Sequence, residues 1–118
     1  MSTIDLTSDN LDSTISDNHI LVIDFWASWC GPCRTFAPIF EASAEQHPQI
    51  AHAKCDTEEQ HTVAAKFSVR SIPTVAVFKE GVLVFSQPGA LQASQLNDLI
   101  TQVGSLDMDE VRAKLASE

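Results

Sequence analysis

Cys30 and Cys33 stand three positions apart in the run Trp29-Cys30-Gly31-Pro32-Cys33. An apolar run precedes them and a helical pattern follows, so two thiols at this spacing can close into a small disulfide ring and reopen. The pair reads first as a redox dithiol. The thiolate is the reactive species, and a free cysteine has a pKa of about 8.5, so attack requires something that favours the anion. Cys30 falls where the chain is expected to turn from strand into helix, beside unpaired N–H groups and the positive end of the helix dipole. Pro32 suits a first helical turn, where its missing N–H removes no hydrogen bond, and Gly31 leaves little bulk over the sulfur. Cys30 is therefore expected to be the exposed attacking thiol. Cys33, one turn inside the helix, is expected to be more buried, protonated at rest, and positioned to resolve a mixed disulfide.

Asp24 is the next chemical candidate. It interrupts the apolar run Ile20-Leu21-Val22-Ile23-Asp24-Phe25-Trp26, where burial disfavours a carboxylate and raises its pKa. Such an acid can take the proton from Cys33 as that thiol becomes nucleophilic; the competing reading is a partly exposed or backbone-satisfied strand aspartate. A zinc reading would combine Cys30, Cys33, Cys55 and His52. His52 and Cys55, however, are an odd number apart on a predicted strand and should face opposite sides, and no second Cys-x-x-Cys exists. No metal is expected, and Cys55 reads as a small buried apolar residue.

The chain has 118 residues, which suits one domain able to bury roughly two-thirds of its unfolded surface. The formal charge is −9, from 16 acids against 7 bases. Arg34, Lys54, Lys66, Arg70, Lys79, Arg112 and Lys114 are scattered singly, so no basic stripe suits a nucleic-acid backbone or an anionic membrane. The first eighteen residues lack a positive region followed by an apolar core, and no apolar run approaches the ~20 residues of a membrane helix. Three cysteines without a secretory signal do not form a disulfide scaffold. These features predict a soluble cytoplasmic protein, with neither nucleic acid nor membrane as partner.

The elements that must position the dithiol alternate in type. Residues 3–7 predict a short edge strand, and Leu11 with Ile15 a short helix after the cap-type residues 7–10. Ile20–Trp26 predicts a strand covered on both faces. Cys33–Gln46 predicts a helix with Phe36, Ile39, Phe40 and Ala44 inward and a kink at Pro38. Residues 50–55 predict a weaker strand, and 58–67 a helix. Residues 75–78 and 82–85 flank Lys79-Glu80-Gly81 and predict an antiparallel hairpin. Leu96, Leu99, Ile100 and Val103 follow a helical template that ends at a cap on Gly104. This order implies an α/β fold, a central mixed five-stranded sheet with helices on both faces. Residues 1–104 form the domain and 105–118 a C-terminal helical extension, with Asp107 and Glu110 at capping-box spacing and Met108, Val111 and Leu115 as a thin apolar stripe.

Over about residues 3–103 the chain resembles the thioredoxin family. The signature is Trp26-Ala27-Ser28-Trp29-Cys30-Gly31-Pro32-Cys33, and Asp24, Pro38, Ile72-Pro73-Thr74, Gly81 and Gly89-Ala90 also fit. The resemblance implies a thioredoxin fold and a protein-disulfide reductase, with Cys30, Cys33 and Asp24 catalytic and Gly31 and Pro32 tuning the thiols. It implies a cis-proline loop at Ile72-Pro73, and a client-binding face of Trp29, Ile72, Pro73, Gly89 and Ala90. It also implies recharging by a thioredoxin reductase, disulfide-containing proteins as clients, a monomer, and a role in electron transport and cell redox homeostasis. No nucleotide-binding loop is present, so the reversible Cys30–Cys33 disulfide is the redox centre and no cofactor is expected. Two alternatives remain at this point: a thioredoxin-like binding or chaperone module, and an oxidising or isomerising relative of the same fold. Two departures stand out. Ser71 and Pro88 occupy places where the family often has glycine and valine. The lysine that many bacterial members place near the buried acid is replaced by His52, with Lys54 two residues on and facing the same side.

Overall fold

The computed structural model describes residues 2–117. Strands β1 (Thr3–Asp5), β2 (Ile20–Trp26), β3 (Ala51–Asp56), β4 (Thr74–Lys79) and β5 (Val82–Pro88) form one sheet in the order β1-β3-β2-β4-β5. The β1–β3 and β2–β3 pairs are parallel, whereas β4 runs antiparallel to both β2 and β5. Helices α1 (Leu11–Asp17), α2 (Gly31–Gln46), α3 (His61–Lys66), α4 (Ala93–Gly104) and α5 (Met108–Ser117) complete the chain.

The central strand β2 explains its own sequence. It lies between β3 and β4, so both faces are covered and six of its seven residues are buried. Leu21, Ile23 and Phe25 enter one core with Leu6, Leu11, Val63 and Ala64 from the α1 and α3 side. Ile20 and Val22 enter the other with Phe36, Phe40, Leu96, Ile100 and Val103 from α2 and α4. Burying each such side chain stabilises the fold by about 1.5–3 kcal/mol, and the period of two assigns successive residues to opposite layers. Asp24 has the parity of Val22 and therefore faces α2.

Several boundaries differ from the sequence reading. Helix α2 starts at Gly31, two residues early, because Cys30 acts as its N-cap and Gly31 and Pro32 form the first turn. Its helical assignment runs through Pro38 to Gln46 without a break. Helix α3 starts at His61 rather than residue 58: the Asp56 side chain accepts from the Glu58 amide at 2.9 Å and holds a turn there. Gly104 lies inside α4 and Ser105 is the cap. The hairpin forms as expected, but Lys79 belongs to β4, so the connection is the two residues Glu80 and Gly81, with φ of 52° and 78°, rather than three. The extension is helical as expected, and the Asp107 carboxylate accepts from the amides of Asp109 and Glu110 at its start.

Candidate functional site

Cys30 and Cys33 form a disulfide at the N-terminus of α2, with their Cα atoms 5.2 Å apart. The strand–helix junction is tied locally. The Cys30 amide donates to Ala27 O at 3.2 Å, the Arg34 amide to Cys30 O at 3.2 Å, and the Arg34 side chain to Ser28 O at 2.8 Å. The Cys33 amide donates to Cys30 Sγ at 3.2 Å, so the sulfur takes the place of an N-cap oxygen and meets one of the otherwise unpaired N–H groups. An anionic sulfur there would be favoured by this donor and by the helix dipole. The two cysteines are equally covered, each 3% exposed. This corrects the expected contrast between an open Cys30 and a buried Cys33: in the disulfide form the ring and its N-cap position enclose both sulfurs.

Asp24 is wholly buried, and neither carboxylate oxygen has a hydrogen-bond partner among the described residues. Burial pushes its pKa up to about 7; Lys54 pulls it back, and Glu41 on α2 adds to the rise. Register accounts for Lys54, which lies opposite Asp24 across the β2–β3 ladder. Its ammonium sits 5.2 Å from the centroid of the Trp26 ring, a cation–π contact. His52 has a different task. It pairs in register with Val22, its ring meets Phe40 edge-on at 5.2 Å, and its nitrogens reach Ser43 Oγ and Ile50 O, each at 2.9 Å. Burial pushes the imidazole below its usual range. Lys54, not His52, is the cation that acts on Asp24.

The residues expected to meet a client lie in three places. Trp29, 66% exposed, and Ile72 line one cavity of about 390 Å³. Gly89 is joined to Pro73 by an amide-to-carbonyl bond of 2.8 Å, and the Ile72–Pro73 peptide is cis. Phe25 pairs in register with Thr74, so Pro73 lies at the end of the sheet where β2 leads into the dithiol. Ala90 is exposed in the loop that follows Gly89. Ser71, noted in the sequence as a departure from the family, also lines the cavity, as do Thr57, Ala64, Val69 and Arg70, which the sequence reading missed. For Arg70 the available signal was its adjacency to Ser71-Ile72-Pro73.

The zinc set is not assembled. His52 faces α2, and Cys55 lies in the opposite core with Leu21 and Phe25. Among the described residues no three His, Cys, Asp or Glu side chains converge as a metal cluster. Cys55 is a free, buried thiol, and burial pushes its pKa up to about 11.

The sequence profile of the Thioredoxin family matches residues 2–102. The chain belongs to the thioredoxin family. A Streptomyces coelicolor relative named as a thioredoxin is 49% identical over 117 residues, covering 99% of this chain and 87% of that one. A mutant thioredoxin from Halobacterium salinarum superposes with a TM-score of 0.81 at 35% identity, covering 89% of this chain and 92% of the other. A chain from a structural study of thiol resolution in yeast mitochondrial 1-Cys peroxiredoxin via the glutathione and thioredoxin systems superposes with a TM-score of 0.79 at 31% identity. The coverage there is 86% of this chain and 95% of that one. With the Cys30–Cys33 pair in place, this thioredoxin-family chain is a thiol–disulfide oxidoreductase with protein-disulfide reductase activity.

Proposed function

We propose that Cys30 is the attacking thiol and Cys33 the resolving one. Reduced Cys30, as thiolate, attacks one sulfur of a client disulfide. A Cys30–client disulfide forms, and the client's other sulfur leaves as thiolate and takes up a proton. Cys33 then loses its proton and attacks Cys30 Sγ. The Cys30–Cys33 disulfide forms, the second client thiolate leaves, and the client has gained two electrons and two protons. Asp24, with a pKa of about 7 and bare oxygens on the α2 side of β2, is suited to take the Cys33 proton near neutral pH. Gly31 and Pro32 shape the first turn that presents Cys30. Trp29, Ile72, Pro73, Gly89 and Ala90 hold an extended client segment.

The observation that carries this assignment is the Cys33 amide bond to Cys30 Sγ, which favours the anion on Cys30 rather than on Cys33. The return electrons come from a thioredoxin reductase, and the protein works as a monomer in the cytoplasm. No helix among the described residues is long and apolar enough to cross a membrane. The decisive assay is insulin reduction with dithiothreitol as electron source: Cys30→Ser should abolish catalysis, and full activity in that variant would overturn the assignment.

A further inference from the structure

Residues 103–117 lie beyond the matched family region, and their attachment to the sheet has two parts. The first is Lys79, the last residue of β4 and only 4% exposed. Its ammonium donates to the carbonyls of Val103, Gly104 and Leu106 at 2.8, 3.1 and 3.0 Å. The end of α4 would otherwise leave carbonyls unpaired, so a buried cation fastens the chain as far as Leu106.

The second part is Glu80. Its φ of 52° is left-handed, a region where Gly, Asn and Asp are at ease and a longer side chain crowds the backbone. Its contacts explain the choice of residue. Arg112 on α5 donates to its carboxylate at 2.6 Å, His19 Nδ1 lies 3.9 Å from the other oxygen, and the Glu80 amide donates to His19 O at 2.8 Å. Past this point α5 has little hold. Met108 is buried and Val111 half-buried, but residues 112–117 are exposed, Leu115 by 52%.

We propose that Glu80 turns the β4–β5 turn into a receptor for α5, which closes over that end of the sheet as a strap and opens about residues 106–107 while Lys79 keeps the end of α4 in place. The turn lies at the end of β4 that pairs with the start of β2, and the dithiol follows the other end of β2. Opening the strap therefore leaves thiol exchange untouched. An exposed ion pair is weakened by salt, so the strap is responsive to ionic strength.

Arg112 and Lys114 make α5 a trypsin substrate, and cleavage after Lys114 of the full-length chain is the readout, normalised to a free peptide of residues 103–117. Relative to wild type at low salt, cleavage should rise about two- to fivefold in high salt and in Glu80→Gln, with insulin reduction unchanged. Glu80→Asn separates the strap from the turn, because asparagine suits the left-handed conformation without supplying the charge. The strap requires Glu80→Asn to be cut as fast as Glu80→Gln. Equal low-salt cleavage of wild type and Glu80→Asn, or no response of wild type to salt, would overturn the proposal.

Discussion

Asp24 and Lys54 face each other across the parallel β2–β3 ladder, and yet the carboxylate accepts no hydrogen bond from the described residues while the ammonium lies over Trp26. The acid is thus influenced by a charge it does not bond. Burial outweighs the lysine, and the outcome is a carboxyl that titrates near neutrality rather than near 3.8.

Asp24→Asn should be more stable than wild type at pH 8. The folded-state pKa lies above the unfolded one, so the native protein binds more protons between the two values. The associated stability is complete below the unfolded pKa and is lost as pH rises through about 7. Removing the ionisable group lifts that loss, by on the order of 4 kcal/mol, measured as the difference in urea unfolding at pH 8. Turnover should fall in the same variant, and its pH–rate profile should lose the step near 7. An unchanged profile would leave Asp24 a structural residue.

Lys54→Met should move that step upward. The ammonium is what lowers the Asp24 pKa, so its loss raises the midpoint of the pH–rate profile. His52→Gln should leave the midpoint where it is, since His52 is engaged with Ser43 and Ile50. A midpoint that follows His52 instead would reverse the assignment.

His52 should make the fold acid-sensitive. Its folded pKa is depressed below the ordinary 6.5, so its contribution is complete above that value and is lost as pH falls through the folded pKa. Thermal melts from pH 7 to pH 5 should show a steeper fall for wild type than for His52→Gln. Parallel curves would remove the histidine from the acid response.

Cys33→Ser should accumulate mixed disulfides with clients through Cys30, visible on non-reducing gels as bands that dithiothreitol removes. Without the second thiol the intermediate has no internal route to release. Client release from Cys33→Ser at the wild-type rate would exclude Cys33 as the resolving group.

Trp29→Ala should raise KM for protein disulfides several-fold while the melting temperature stays within a degree or two. The ring is mostly exposed, so little core is lost, but it forms a wall of the cavity shared with Ile72. A large loss of stability with KM unchanged would make Trp29 a packing residue.

Much of this architecture was legible because the strong signals are local. Strand β2 was read to the residue, since a seven-residue run that is apolar except at Asp24 marks a central strand, and the hairpin followed from its flanking β-branched runs, though Lys79 was read into its turn. The start of α2 was marked at Cys33 by its apolar periodicity, two residues late, although Pro32 had been read as suited to a first helical turn and Cys30 as the strand–helix junction; the cap on Cys30 agrees with that second reading. Helix α3 was read too long because the Asp56 turn competes with the helix through a side-chain bond that no periodicity reveals. The choice between His52 and Lys54 depended on strand register, which links residues thirty positions apart. The role of Lys79 arises only from tertiary closure.

Cys55 gives the molecule an internal counter. It is sealed in the core formed by β2, β3, α1 and α3, with a thiol pushed up to about 11, so a thiol reagent applied to the native protein should leave it untouched. Cys55 is modified only in molecules that have opened. The rate of its modification therefore reports how often this core comes apart, independently of whether the dithiol is working.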